Sequence, residues 1–182
     1  LCNRLRKWIR KGIKPMPLSI NISMHNLYNE DFVRKVKEIV HKHGIPANLI
    51  MLEFSEESIA GNLELTQEIV DSLKAEGFLI SMDDFGTGYS SFALLKEMPL
   101  DTLKIDKSFV DLIVADEDTE KITIILRHII TMAKELGIDS IAEGVEEQAQ
   151  VEALHGWGCE MVQGYYYSKP LPIGEFEEKY LG

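Results

Sequence analysis

Short apolar runs alternate with amphipathic helical patterns along the whole of this 182-residue chain, and no other feature constrains its fold as tightly. Pro17 to Ser23 (PLSINIS) alternates apolar and polar residues at the period of a strand. A helix is predicted over Asn29 to His43, with Asn29 as its cap, Glu30 and Asp31 in its first turn, and Gly44 ending it in a left-handed conformation. The same succession then recurs. Strands are predicted at Leu49 to Phe54, Phe78 to Met82, Thr102 to Ile105, Ile138 to Ala142 and Glu160 to Val162. Helices are predicted at Leu63 to Glu76, in a short stretch ending near Lys96, at Thr119 to Leu136, at Glu147 to Leu154 and at Gly174 to Tyr180. The longest carries Ile122, Ile125, Leu126, Ile129, Ile130 and Ala133 on one face. A basic amphipathic helix at Leu1 to Lys11 precedes the first strand.

Strict alternation calls for parallel strands with helices packed outside them. An open doubly wound sheet and a closed barrel both satisfy it, and the polar residues choose between the two. They stand at or just past the end of every strand: Asn21, Glu53, Asp83 with Asp84, Lys104 with Asp106, Glu143, and Gln163. An open sheet gathers its site at one switch point. A barrel draws on many strand ends at once. The expected fold class is therefore α/β, a modified (β/α)8 TIM-type barrel occupying residues 1–182 as one domain. Six strands are countable, whereas a barrel of this type needs eight in about 250 residues. The basic helix at the start must follow a strand, so the first two strands are expected to be absent from this chain. Unpaired edges at Leu18 to Ser23 and near Val162 would invite pairing with a second copy, hence a homodimer.

Charge narrows the partners. Nineteen Lys and Arg against thirty Asp and Glu give a formal net charge of -11, which repels nucleic-acid backbones and anionic lipid. No DNA or RNA polymer is expected as a partner. The two cysteines, Cys2 and Cys159, make no disulfide framework and suit a reducing, cytoplasmic setting. The most apolar stretch, Ile122 to Ala133, is too short to cross a bilayer and is broken by Arg127 and His128. Leu1 to Lys14 lacks the apolar core of a secretory signal. Any membrane anchor is expected elsewhere in a parent protein.

The strand-end acids point to metal chemistry. Asp83 and Asp84 are adjacent, and neighbours in a strand face opposite ways unless the strand is ending and the chain turning. Phe85-Gly86-Thr87-Gly88 supplies a turn. An isolated Asp-Asp pair is more often the start of a polar loop. With Glu53 and Glu143 at other strand ends, four carboxylates at one barrel mouth would not all ionise without a cation. All-oxygen ligands suit Mg²⁺ or Mn²⁺ rather than zinc, and Asn21 adds a neutral oxygen or serves as a turn residue. Lys104 is a buried ion-pair partner or a cation orienting water and phosphoryl charge; carboxylate neighbours disfavour a Schiff-base role. The five histidines are scattered, and the Gly86-Thr87-Gly88 loop lacks the Lys-Ser/Thr of a P-loop. Tyr165-Tyr166-Tyr167 either packs at a barrel rim or stacks on bases.

Taken in order, LSINIS at Leu18 to Ser23, LEFSEES at Leu52 to Ser58, DDFGTGYSS at Asp83 to Ser91, KID at Lys104 to Asp106, EGVE at Glu143 to Glu146 and QGYYYSKPL at Gln163 to Leu171 resemble the EAL-domain phosphodiesterases that cleave cyclic di-GMP. The resemblance spans essentially the whole chain and implies a modified (β/α) barrel. It implies that Asn21, Glu53 and Asp83 hold one divalent metal, and that Asp83, Asp84 and Glu143 share a second. By the same likeness Lys104 contacts the attacking water, with Glu143 or the metals assisting its deprotonation. Glu56 corresponds to the glutamate that anchors the loop after the Asp pair, Gln163 to a residue lining the same site, and Asp106 to one that shares in water or ligand contacts. The implied reaction is hydrolysis of cyclic di-GMP to linear pGpG with two Mg²⁺ or Mn²⁺ ions, inhibited by Ca²⁺.

Departures are few. Ser55 stands where the family usually has Thr, and Phe54 where a smaller aliphatic residue is common. The namesake Glu-Ala-Leu motif has no match before Leu18, in keeping with the two uncounted strands. The fragment alone is therefore expected to be a weak enzyme, within a parent carrying a sensor or GGDEF-type domain. The competing reading is a catalytically silent cyclic di-GMP receptor; such members lose acidic ligands, and here the positions within the motifs are filled. An unrelated enolase-like metal barrel is disfavoured by the ordered motifs.

Overall fold

The computed structural model describes residues 1–86, 91–114 and 119–181. The chain divides into two compact units, Leu1–Leu103 and Lys104–Gly182. The first unit holds helix α1 (Cys2–Arg10), strand β1 (Leu18–Ile22), helices α2 (Met24–Leu27) and α3 (Phe32–His43), strand β2 (Ile50–Ser55), helices α4 (Glu56–Gly61) and α5 (Leu63–Ala75), strand β3 (Leu79–Phe85) and helix α6 (Ser91–Glu97). Strand β4 (Thr102–Ile105) carries the chain onward. The second unit continues with helices α7 (Lys107–Asp111) and α8 (Thr119–Glu135), strand β5 (Asp139–Glu143), helix α9 (Gln148–Gly156), strand β6 (Met161–Gln163) and helix α10 (Ile173–Tyr180).

In the first unit β1, β2 and β3 pair in parallel, with Ile20 beside Leu52, Leu52 beside Ile80, Ile22 beside Phe54 and Phe54 beside Met82. Residues in register on parallel neighbours face the same way, and alternate residues face opposite ways. Leu52, Phe54, Ile80 and Met82 are all buried, as are Ile59 of α4 and Val70 and Leu73 of α5. The opposite face carries Asn21, Glu53 and Ser81 in one row and Ser55 and Asp83 in the next. At β1 this face is open, since Ser19 and Asn21 are exposed. Asp101 braces the start of β3: its carboxylate accepts the Ile80 N–H at 2.7 Å and Lys74 at 2.6 Å. In the second unit β5 and β6 are parallel, with Glu143 beside Gln163.

Several boundaries differ from the sequence expectation, each for a local reason. Helix α3 begins at Phe32 rather than Asn29. The Asn29 side chain accepts the Asp31 N–H at 2.9 Å in a turn of its own, and the Asp31 carboxylate is drawn to Arg34 at 2.7 Å. Gly44 does close that helix in the left-handed region, at φ 62°. Three short helices were not predicted, because four to six residues show no period, yet each has a side-chain cap: Ser23 for α2, Ser55 for α4 and Asp106 for α7. Strand β3 runs on through both aspartates to Phe85. Along α8, Leu126, Ile129, Ile130 and Ala133 are buried as expected, whereas Ile125 is 46% exposed. Thr87, Gly88, Tyr89 and Ser90 of the expected turn and motif lie outside the described residues.

Phe54 and Phe78 are the largest fully buried side chains described in the first unit, and truncation of Phe54, packed on β2, leaves a void. Phe54→Ala should lower unfolding stability by about 3–5 kcal/mol in urea denaturation; a loss below about 1 kcal/mol would remove Phe54 from the core.

Candidate metal and hydrolytic site

In the first unit the candidate residues share one sheet face by register. Asn21 of β1 lies beside Glu53 of β2, and Asp83 of β3 stands one pleat further along, beside Ser55. Glu53 is only 5% exposed, Asp83 is half-buried and Asn21 is exposed. Simple alternation would send Asp84 to the opposite, helix-covered face. It escapes because it adopts φ 57°, alone among the described non-glycine residues in having positive φ. Its N–H is held by the Asp83 carboxylate at 3.1 Å. Left-handed backbone at a non-glycine residue costs energy, and such strain concentrates at functional sites. Asp84 thus departs from regular alternation while still within β3, one residue before the strand ends at Phe85.

Glu56 is placed by the strand-to-helix junction. Ser55 caps α4 by accepting the Ser58 N–H at 3.2 Å, which sets Glu56 in the first turn, where a carboxylate complements the helix dipole. Glu56 is buried, and one of its carboxylate oxygens accepts the Gly86 N–H at 3.1 Å. It therefore ties the junction after β2 to the backbone two residues beyond Asp84.

An all-oxygen set of one amide and several carboxylates is the chemistry of a hard divalent cation. The largely buried Glu53 contributes carboxylate oxygens to that set. Beside it, Ser81 offers a fully buried hydroxyl oxygen with no hydrogen-bond partner. The residues present thus fit a hard divalent cation.

In the second unit Lys104 and Glu143 form an ion pair, Nζ to Oε1 at 2.8 Å, with both side chains largely removed from water. Asp106 caps α7, accepting the Ser108 N–H at 2.9 Å. Burial pushes its carboxyl up, but hydrogen bonds from Ser108 and the backbone outweigh this and hold it below the usual carboxylate range. Gln163 is exposed at the end of β6.

Sequence reasoning missed what binds the two loops beyond β5 and β6. Val145 N–H donates to the Gln163 carbonyl at 3.1 Å, and Tyr166 N–H donates to the Val145 carbonyl at 3.0 Å. Lys107 adds a clamp, reaching Glu146 at 3.0 Å, Asp111 at 2.8 Å and the Gly144 carbonyl at 3.3 Å. The signal available was a glycine directly after each strand, Gly144 and Gly164. A cavity of about 680 Å³ opens here, lined by Lys107, Gln163, Tyr165, Lys169 and Tyr180 among others. The three consecutive tyrosines are exposed rather than packed, and Lys169 lies 5.5 Å from the Tyr165 ring centre.

The family described as the EAL domain matches residues 1–170. The signaling protein YkoW of Bacillus subtilis is 38% identical over 97% of this chain, and the cyclic di-GMP phosphodiesterase NbdA of Pseudomonas aeruginosa is 37% identical over 97%. The chain spans 22% of the length of each. Among solved structures, the PaMucR phosphodiesterase in complex with c-di-GMP superposes with a TM-score of 0.89 at 31% identity, covering 96% of this chain and 70% of that one. The fold class is accordingly the α/β, TIM-barrel-like type of these domains.

A Cβ added at Gly164 would lie 2.0 Å from the Val145 carbonyl oxygen and 2.3 Å from its nitrogen, both backbone atoms. Gly164→Ala should therefore part the two loops and cost about 1–3 kcal/mol by thermal or urea unfolding. Amide exchange at Val145 and Tyr166 should accelerate with it, and unchanged protection at both would contradict the stitched arrangement.

Proposed function

Because the chain belongs to the EAL-domain family, we propose that it is the catalytic domain of a cyclic di-GMP phosphodiesterase that yields linear pGpG with two Mg²⁺ or Mn²⁺ ions. The observation that carries this reading is the row of Asn21 and Glu53 with Asp83 one pleat beyond, three oxygen donors on one face of one sheet. A silent receptor tends to lose acidic ligands, whereas Glu53, Asp83, Asp84 and Glu143 are all present here. The relatives it matches are several times longer, which supports a parent with further domains, of sensor or GGDEF type.

Asn21, Glu53, Asp83 and Asp84 would hold the ions, with Glu143 sharing in the second. When bound, they supply a nucleophile at neutral pH and offset charge on the attacking and leaving oxygens. The chain's own residues handle position and protons. The Lys104 ammonium, drawn to Glu143, is kept directional by that ion pair and orients the attacking water. Glu143 accepts the water's proton. The water oxygen bonds to phosphorus, the P–O3′ bond breaks, the released 3′ oxygen takes up a proton from solvent water, and Glu143 returns its proton to solvent. Glu56 holds the backbone at Gly86 and so keeps Asp84 in its left-handed turn. Gln163 and Asp106 contact the ligand, and Tyr165 beside Lys169 gives the cavity after β6 a cation-flanked ring suited to a guanine base.

In the intact parent, Asp83→Asn should reduce cyclic di-GMP turnover on the order of 10²-fold or more, because several kcal/mol of transition-state stabilisation depend on its charge. Glu56→Ala should reduce turnover less, and without removing any ligand. Near wild-type turnover of Asp83→Asn in excess Mg²⁺ would rule out the two-metal reading.

Ca²⁺ prefers more oxygen ligands at longer distances than Mg²⁺ and should occupy the carboxylates without supporting reaction. Adding Ca²⁺ to Mg²⁺-loaded protein should inhibit in competition with Mg²⁺. Full activity with Ca²⁺ as sole metal would count against the mechanism.

A further inference from the structure

We infer that Ser81 is a positioning residue for the first metal, its hydroxyl hydrogen-bonded to a water of the ion's hydration shell; this rests on the metal reading above. Ser81 is fully buried, and its Oγ alone among the buried side-chain oxygens and nitrogens of the described residues has no hydrogen-bond partner. Buried polar atoms are satisfied in nearly all native proteins, so an orphaned one marks a missing partner.

Register says where that partner lies. Ser81 is directly beside Glu53, which is itself beside Asn21, so all three face the same way across neighbouring strands about 4.8 Å apart. Asp83, two residues further along β3, projects from that face in the next row. The helix-covered face is filled instead by Leu52, Phe54, Ile80 and Met82. The orphaned hydroxyl therefore belongs to the metal-ligand row and not to the core. It is set below the carboxylate of Asp83, too short to replace a ligand. Mg²⁺ and Mn²⁺ retain several waters when few carboxylates hold them, and such waters need fixed partners around them. A water held between the ion and Ser81 in turn needs two to four polar neighbours, and Ser81 and its register partner Glu53 supply two.

The test is Mn²⁺ titration of the intact protein followed by the electron paramagnetic resonance of free Mn²⁺, comparing wild type with Ser81→Ala. Amide exchange across β3 is measured on both without metal. Ser81→Ala should weaken Mn²⁺ binding about 10-fold or more, the scale of losing an outer-shell partner. Metal-free β3 protection should stay equal or rise, because the hydroxyl has no bond to lose there. Equal Mn²⁺ affinity in the two proteins would overturn the inference while leaving the metal site standing. Reduced β3 protection in metal-free Ser81→Ala would overturn it in favour of a structural role. A wild type that binds no Mn²⁺ would overturn the metal reading itself, and this inference with it.

Discussion

The packing of Leu52, Phe54, Ile80 and Met82 on one face of β2 and β3 is the constraint on which the rest of the first unit depends. Once those four are buried, the period of two leaves Glu53, Ser81 and Asp83 no choice of face. Parallel strands hold that relation over every row, so Asn21 reaches Glu53 although thirty-odd residues of chain intervene. A one-residue slip of β2 would put Glu53 among the apolar side chains and Phe54 in the candidate site. Hydrophobic burial thus selects the chemistry by elimination. The carboxylates are gathered by what the apolar residues refuse.

At the strand ends a second device takes over. Ser55 and Asp106 each stand at a strand terminus and cap the short helix that follows. A cap fixes the direction of the next few residues through one hydrogen bond, and here it sets Glu56 against Gly86. Asp84 shows the complementary case, in which backbone strain and not side-chain packing aims a carboxylate. In the second unit the loops after β5 and β6 are held by backbone bonds that tolerate no side chain at Gly164. Lys107 is fastened to three partners there, and Tyr180 sits nearby with its phenol lowered by a bond to Ser168 and by Lys179. Rigid loops of this kind suit a site whose ligands must be presented at fixed distances.

Much of this was legible in the order of residues. The six strands and the longer helices follow from period and punctuation, because burial on one face imposes a rhythm that survives without coordinates. The strand-end positions of Glu53, Asp83, Lys104, Glu143 and Gln163 follow from that rhythm as well, and the ordered motifs identify the family. The short helices α2, α4 and α7 were not legible, since one turn has no period and a capping Ser or Asp looks like any loop residue.

The sequence by itself determined which residue types end each strand, and therefore the oxygen-rich chemistry available to this protein. Only the tertiary structure decided how those residues are used. It placed Asn21, Glu53 and Ser81 side by side through strand register, drew Lys104 to Glu143, turned Asp84 through a left-handed backbone and left one buried hydroxyl without a partner. The physical reason is range. Periodicity and caps act within a few residues, whereas register, ion pairing and unmet hydrogen bonds arise only when distant segments are packed together.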